Sequence, residues 1–284
     1  MKKLILPFIA LALIYSCGPE ETTEGGLTKL TGGKFAGGVL RMNEVEDFRN
    51  LYPLDITEVT SHRIANQMYE GLVKLSQTDL SVVPALAESW SKNEDATIWT
   101  FKIRKGARFH NDECFGGGEG REITAKDFKW CFDNLCAASP HNQMYSLTFD
   151  NRVKGADEYY QSTKDKKPLE GGVSGVKVLD DYTLEITLNN SFAGFLNILA
   201  MPGCYLFPEE AFKKYGEDGM RTEAVGTGPF MLKAVKENEA VALESNPDYW
   251  GKDADGNSLP YLHGIRISFI KDKKQEFLDF KKGD

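Results

Sequence analysis

Apolar residues alternate with polar ones in several short stretches of the chain, a spacing that predicts half-buried β-strands. The clearest stretch is Trp99–Ile103, where three apolar side chains are separated by Thr100 and Lys102. The alternation before and after Asp180 and Asp181 predicts a hairpin with its turn at this pair. The other strands are predicted at Leu72–Leu75, Val176–Val178, Tyr182–Leu188, Phe230–Ala234, Val241–Leu243 and Ile265–Phe269.

Other stretches carry apolar residues three and four apart, as the buried face of a helix requires. The stretch Thr124–Asp127 reads as a capping box in front of such a helix. Strands and helices that mix without strict alternation predict the α/β class, a sheet with inserted hairpins. Further helices are predicted with Ser61 and Ser191 as N-caps, with Pro208 as the first residue and Gly216 as the stop, and between Asp272 and Gly283.

The composition is that of a soluble globular protein. Of the 284 residues, 41% are apolar and 27% are charged, enough for a sizeable core. A net charge of −8 argues against nucleic acid as a partner, because non-specific binding to nucleic acid requires a basic face. The sequence leaves open whether the cysteines of the body form disulfides; they are Cys114, Cys131, Cys136 and Cys204.

The N-terminus has the features of an export signal. Lys2 and Lys3 precede an uncharged apolar run that is too short for a membrane span of about 20 residues, which predicts a signal peptide over residues 1–16. Ile14–Cys17 resembles a bacterial lipobox, which implies that Cys17 carries a lipid anchor (palmitate and related acyl chains). The polar residues 17–36 predict a flexible tether. We therefore expect a lipoprotein on the periplasmic or cell-surface side, with inner and outer membrane both open.

The sequence contains no recognisable catalytic motif, since it lacks the G-x-S-x-G, H-E-x-x-H and Walker patterns. His110 and Cys114 lie near two carboxylates, but all four fall in one loop without a second cluster, whereas structural zinc requires four convergent ligands. We therefore predict no metal site, no cofactor and no enzymatic activity. The glycine-rich run Gly116–Gly120 predicts a flexible surface loop.

Nine stretches, in this order, resemble the family 5 extracellular solute-binding proteins, which include oligopeptide-, dipeptide- and nickel-binding proteins. The resemblance covers residue 38 to the end of the chain. The stretches are Tyr69–Val73, Pro84–Trp90, Trp99–Gly106 with Phe109-His110, Thr124–Phe128, Val176–Leu184, Gly226–Phe230, Asn246–Trp250, Pro260–Ile265 and Phe280–Asp284.

The resemblance implies a two-lobed, periplasmic-binding-protein-like fold of type II, in the large subclass with an extra α/β domain. Lobe I would comprise residues 38–83 and 176–284, the extra domain residues 84–175, and the second lobe would be missing from this N-terminal fragment. The insert at Cys114–Arg121 departs from the family pattern. The implied partners are a peptide ligand, ABC permease subunits and the membrane. A metal chelate, haem or sugar ligand stays open, as does a surface interaction protein without a transport role.

The resemblance also implies which residues approach a ligand in the cleft between lobes. Three of its segments match: a loop before the first helix, a position after Ser139-Pro140 for which Met144 is an alternative register, and a glycine turn that would allow main-chain hydrogen bonds to an extended ligand. An ordinary tight turn is the alternative for the glycines. The expected ligand-binding residues are Thr57, Glu58, Val59, Tyr145, Met201, Gly226, Thr227 and Gly228.

Overall fold

A computed structural model describes residues 22–23 and 26–283. The predicted signal peptide and the predicted lipid attachment at Cys17 lie outside the described residues. The helices are α1 (Val59–Met68), α2 (Ala125–Leu135), α3 (Ala156–Lys164), α4 (Phe195–Leu199), α5 (Glu209–Gly219) and α6 (Lys273–Lys282). The strands are β1 (Thr22–Thr23), β2 (Leu27–Lys29), β3 (Phe35–Ala36), β4 (Val39–Glu44), β5 (Val73–Leu75), β6 (Val82–Pro84), β7 (Ala87–Lys92), β8 (Ile98–Ile103), β9 (Val176–Asp180), β10 (Thr183–Thr187), β11 (Phe230–Lys236), β12 (Ala240–Ser245) and β13 (Gly264–Phe269).

One four-stranded sheet joins the beginning of the described chain to its end. Its strand order is β11-β12-β13-β4, with β4 parallel to β13 and the other pairs antiparallel. Gly264 is paired with Val39, so segments that are more than 200 residues apart share one sheet. The pairing joins the first and last segments of the expected lobe I in one sheet.

A second four-stranded sheet has the order β7-β8-β10-β9, and all its neighbours are antiparallel. The predicted strand at Trp99–Ile103 and the predicted hairpin around Asp180 are confirmed. The expected domain boundary at residue 176 falls within this sheet, because Leu184, which follows the boundary, pairs with Phe101, which precedes it. Residues 176–187 therefore belong with the strands of the expected extra domain, and α2 packs on β9 and β10.

Helix α1 is where the sequence predicts a helix, but its N-cap is Glu58 rather than Ser61. The Glu58 carboxylate accepts a hydrogen bond from the backbone N–H of Ser61 at 3.2 Å, so the helix begins at Val59. Ser61 is buried in the first turn, and its hydroxyl accepts hydrogen bonds from the backbone of the segment before the helix.

The other predicted helices are confirmed with changes at their ends. The capping box at Thr124 is present, and the Asp127 carboxylate accepts from the Thr124 backbone N–H at 2.7 Å. Helix α4 is capped by Gly194 instead of Ser191. Pro208 is the N-cap of α5, and Gly216, at φ 68°, kinks this helix without ending it. Asp272 and Gly283 cap α6 at its two ends, as predicted.

Two segments that the sequence predicts to be flexible are tied to the protein body. Residues 27–36 form β2, β3 and a single 3₁₀ turn instead of a free tether. The insert Cys114–Arg121 contacts α5 at its end, where Arg121 Nε donates to Glu210 Oε1 at 2.6 Å. Just before the insert, Tyr215 donates a hydrogen bond to Asp112 at 2.8 Å and Lys214 pairs with Glu113 at 2.9 Å. In the first case long-range contacts hold the polar, glycine-rich stretch itself, and in the second they hold the residues on either side of the glycines; neither set of contacts is visible in the local composition.

The apolar core is continuous across both sheets and the helices that cover them. Its largest fully buried side chains include Phe101, Phe128, Phe132 and Phe149. Within the described residues the body cysteines are free, three of them buried and Cys114 half-buried. None of the helices in the described part of the chain has the length and apolarity to cross a membrane.

Candidate functional site

The segments expected to bind a ligand are arranged around helix α1. Thr57 and Glu58 precede its first residue, whereas the Gly226–Gly228 turn lies against its last. A ten-residue helix is about 15 Å long, so these two segments are separated by roughly that distance. Met201 precedes the 3₁₀ turn Pro202–Cys204, which contacts α1.

At the N-terminal end of α1, two of the three expected residues face solvent. Thr57 is exposed, and the side chain of Val59 is 63% exposed. The Glu58 carboxylate, by contrast, points back into the fold and accepts from the backbone N–H of Arg49 at 3.0 Å as well as from Ser61. Thr57 and Val59 are therefore free to contact a ligand, while Glu58 serves as the helix cap.

The main-chain groups of the glycine turn are engaged inside the protein. Gly226 accepts from the backbone N–H of His110 at 2.8 Å, and its own N–H donates to His110 Nδ1 at 3.2 Å. The Gly228 carbonyl accepts from His110 Nε2 at 2.9 Å and from Asn246 Nδ2 at 3.0 Å. Thr227 between them is buried. The main-chain N–H and C=O groups of Gly226 and Gly228 are therefore occupied by partners within the protein, and hydrogen bonding of this turn to an extended ligand stays a prediction.

The glycines are required by the close approach of the turn to α1. A Cβ atom on Gly226 would lie 2.1 Å from the Met68 carbonyl oxygen, and one on Gly228 would lie 2.7 Å from the Met68 carbonyl carbon. The Gly228 N–H also donates to the Met68 carbonyl at 2.8 Å, which satisfies a group at the helix C-terminus. The turn thus positions α1.

His110 supports the same turn, although the sequence shows it only as part of a polar loop. Burial lowers the pKa of His110 to about 4, so the ring is neutral at pH 7. Since Nδ1 accepts from Gly226, the proton is on Nε2, which donates to Gly228. The signal in the sequence was that Phe109-His110 and Gly226–Phe230 both belong to the stretches that carry the family resemblance.

Tyr145 faces away from these segments. Its ring is buried and stacks on Tyr160 at 4.3 Å between centroids, and its hydroxyl donates to Asp157 at 2.5 Å. Met144, the alternative register, lies beside Gly203: a Cβ placed on that glycine would be 2.5 Å from the Met144 Cβ. Met144 is therefore next to the Met201 turn, and Tyr145 belongs to the packing around α3.

A cavity of about 370 Å³, which the sequence did not indicate, opens along the C-terminal half of α1. The Tyr205 hydroxyl donates to Asn66 Oδ1 at 3.1 Å and lies 3.2 Å from His62 Nε2. His62 and Asn66 are four residues apart and so share one face of the helix. Residues that line the cavity include His62, Asn66, Lys74, Tyr205, Pro229 and Tyr249.

A buried carboxylate closes one side of this cavity. Glu70 accepts from the Tyr249 hydroxyl at 2.9 Å and from Trp250 Nε1 at 2.8 Å, with Lys74 Nζ at 3.6 Å. Burial raises the pKa of Glu70, and the nearby ammonium of Lys74 opposes this effect. Two stretches that carried the resemblance, Tyr69–Val73 and Asn246–Trp250, are thus two halves of one hydrogen-bonded cluster.

The known proteins that this chain resembles in sequence include several that are named for binding a ligand. The chain is 32% identical over 209 residues to the periplasmic oligopeptide-binding protein OppA of Escherichia coli, which covers 73% of this chain and 36% of that protein. It is 26% identical over 278 residues to the oligopeptide-binding protein AmiA of Streptococcus pneumoniae, covering 96% of this chain and 38% of that protein. Heme-binding protein A of Haemophilus influenzae is 30% identical over 203 residues, covering 70% and 35%.

Solved structures show the same fold. The substrate-binding domain of an oligopeptide ABC transporter from Bacillus anthracis superposes with a TM-score of 0.71 at 28% identity, covering 87% of this chain and 45% of that one. DppA from Helicobacter pylori, in complex with the peptide STSA, has a TM-score of 0.67 at 26% identity, covering 87% and 46%. The chain thus spans less than half the length of these relatives.

The model of the family described as bacterial extracellular solute-binding proteins, family 5, middle, matches residues 81–284. The match includes the β7-β8-β10-β9 sheet, the His110–Gly228 contact and the Tyr249–Trp250 half of the Glu70 cluster. With its periplasmic-binding-protein-like α/β fold, the chain belongs to the family 5 bacterial extracellular solute-binding proteins.

Proposed function

We propose that this chain is part of the solute-binding component of a bacterial ABC importer and that its ligand is a peptide. The observation that carries the proposal is the agreement among relatives: proteins named for oligopeptide binding match at 32% and 26% identity, and a superposing structure holds a peptide. In this role the protein acts by binding and release, works with permease subunits of the transporter and is not an enzyme. A lipid on Cys17 would hold it on the periplasmic or cell-surface side.

We assign ligand contact to the groups that remain free in the structure. Thr57 and Val59 are exposed at the start of α1, and Met201 is half-buried in the turn beside it. Gly226, Thr227 and Gly228 position the C-terminal end of α1. Tyr145 supports the segment in which Met144 lies beside the turn at Met201. An apolar Val59 side chain in open solvent fits a role in contacting a ligand, since it contributes nothing to the core.

The ligand class is tested by mass spectrometry of the molecules that co-purify with the complete gene product. Recovery of short peptides supports the proposal. Haem is the second candidate because a relative named for heme binding is 30% identical over 203 residues. Recovery of haem, a metal chelate or a sugar without peptide would replace the proposal with one of the alternatives.

The assigned contact is tested by calorimetry with a pool of tri- to pentapeptides and the complete gene product. Val59→Lys should weaken binding at least about tenfold, equivalent to 1.4 kcal/mol, because it places a charge against the ligand. Leu179→Lys is the matched control, since Leu179 is an exposed apolar residue on β9, 53% accessible, and away from α1. Equal affinity for the two variants, with unchanged melting temperatures, would remove Val59 from the site.

A further inference from the structure

Lys34 is held by two carboxylates on a distant loop. Its ammonium lies 2.7 Å from Asp253 Oδ2 and 2.8 Å from Asp255 Oδ2. The same oxygen of Asp253 also accepts from Tyr261 at 2.5 Å and from Asn257 Nδ2 at 2.8 Å. A lysine from the predicted tether thus occupies a ready-made cluster of acceptors, 219 residues away along the chain.

The loop that binds Lys34 is organised by its own hydrogen bonds. Asp253 Oδ1 accepts from the backbone N–H groups of Asp255 at 2.9 Å and Asn257 at 2.8 Å, so the Asp253 carboxylate is oriented by its own loop as well as by Lys34. Hydrogen bonds from Lys34 hold the pKa of Asp253 below its usual range, and the same contacts raise the pKa of Lys34. Both partners therefore stay charged at any pH near neutral.

Main-chain contacts extend the attachment on both sides of Lys34. The Asn257 side chain accepts from the Thr31 N–H at 3.2 Å and donates to the Thr31 carbonyl at 3.1 Å. Gly37 N–H donates to the Tyr261 carbonyl at 2.7 Å. Gly32 fits so closely that a Cβ atom there would lie 2.2 Å from Asp255 Oδ2. We call residues 27–38 the strap and residues 253–261 the cradle.

An attached strap changes the reach of any lipid anchor at Cys17. The nine residues 18–26 span at most about 30 Å, whatever their conformation. If the strap were free, the 21 residues 18–38 would span about 70 Å at full extension and would let any face of the protein approach the bilayer. Because the strap is bound to the cradle, the chain that leads from Cys17 joins the folded body at the cradle.

We propose that the strap and cradle turn one face of this protein, the cradle face, towards a lipid surface. The proposal rests on the proposed lipid anchor at Cys17, and it is independent of which solute the protein binds. Its physical basis is the bidentate capture of Thr31 by Asn257, the two ion pairs of Lys34 and the main-chain bond at Gly37. Together these contacts fix the exit point of the chain that leads to the membrane.

Limited trypsinolysis tests whether the cradle holds the strap. Trypsin sites follow Lys29 and Lys34, and the double variant Asp253→Asn with Asp255→Asn leaves both sites intact. We expect this variant to be cut in the strap at least about tenfold faster than the parent. Trypsin cleaves a segment while it is detached from the protein body, and loss of the two ion pairs increases the detached fraction of the strap. The matched control, Glu88→Gln with Glu94→Gln, removes the same charge from exposed positions outside the cradle. Equal rates of cleavage in the strap for the parent and the Asp253, Asp255 double variant would overturn the proposal.

Energy transfer tests the orientation on vesicles. The lipidated complete protein, in a Cys114→Ser background, carries a donor at Lys252→Cys beside the cradle or at Glu88→Cys on β7; the lipid headgroups carry the acceptor. We expect stronger transfer from position 252, and we expect the difference between the two positions to shrink in the Asp253, Asp255 double variant. Equal transfer from both positions in the parent would overturn the orientation.

The anchor is checked separately from the bound solute. If the parent incorporates no tagged palmitate, or if Cys17→Ser leaves its incorporation unchanged, the anchor and the orientation fall together. The solute proposal is decided by the co-purified ligand, so its failure is distinguishable from failure of the strap and cradle.

Discussion

Gly226→Ala tests whether the glycine turn serves packing or the ligand. The added methyl group would meet the Met68 carbonyl oxygen at 2.1 Å, the Met68 carbonyl carbon at 2.8 Å and Tyr69 Cδ1 at 2.9 Å. All three contacts are shorter than carbon atoms tolerate. Two of them are to main-chain atoms at the end of a helix, which cannot rotate away as a flexible side chain would.

The expected cost follows from these contacts. Overpacking against a fixed neighbour typically costs about 1–3 kcal/mol. Displacing the turn also strains the hydrogen bond from Gly228 N–H to the Met68 carbonyl, which contributes about 1 kcal/mol. We therefore expect a loss of about 2–4 kcal/mol in the free energy of unfolding. For a chain of 284 residues, whose unfolding entropy near the melting temperature is about 0.6 kcal/mol/K, such a loss lowers the melting temperature by roughly 3–7 °C.

The assay is thermal and urea denaturation followed by circular dichroism, with Gly116→Ala as the matched control. Gly116 is exposed and has open space around its Cβ position, so its replacement should change stability by less than about 0.5 kcal/mol. A Gly226→Ala variant that melts with the parent but no longer binds peptide would refute the packing argument. That result would return the turn to the ligand site.

Two further predictions concern the support of the site. Thr124→Ala should lower the free energy of unfolding by about 0.5–2 kcal/mol through loss of the α2 cap. The control, Thr78→Ala in an exposed turn, should not lower it. Equal melting temperatures of the two variants would mean that Thr124 contributes nothing as a cap. Burial lowers the pKa of His110 from 6.5 to about 4. As the pH drops, His110 is therefore protonated in the unfolded chain at a higher pH than in the folded protein. The free energy of unfolding should fall by about 3 kcal/mol between pH 6.5 and pH 4. Ring-proton NMR checks this directly: a His110 signal that titrates near pH 6.5 would contradict the predicted burial effect.

The candidate site was only partly predictable, because most of its contacts join residues that are distant in sequence. The family resemblance drew attention to Thr57, Glu58 and Val59 at the start of the first helix, and the structure has Thr57 and Val59 exposed there. The sequence could not show that Gly226 approaches Met68, or that His110 accepts from the N–H of Gly226, since these pairs are more than 100 residues apart. The glycines were read as open to a ligand because a glycine pattern indicates close approach without saying to what.

Local patterns determined the elements. The alternation in Trp99–Ile103 and the capping box at Thr124 are complete within a few residues, and the structure has both where the sequence predicts them. Helix ends were less certain: Glu58 instead of Ser61 caps α1, because its carboxylate also receives the N–H of Arg49, nine residues upstream. A choice between two capping residues three positions apart depends on such contacts from outside the helix.

The sequence by itself determined the class of fold, the family resemblance and the position of most strands and helices, because hydrophobic period and turn chemistry are local. Only the tertiary structure decided which segments are fixed. The strap was read as a free tether from its polar, glycine-rich composition, yet Lys34 is bound by Asp253 across 219 residues. The composition of a segment shows how little apolar surface it can bury. The strap is held instead by ion pairs and hydrogen bonds to the cradle, a distant loop that no local sequence pattern identifies.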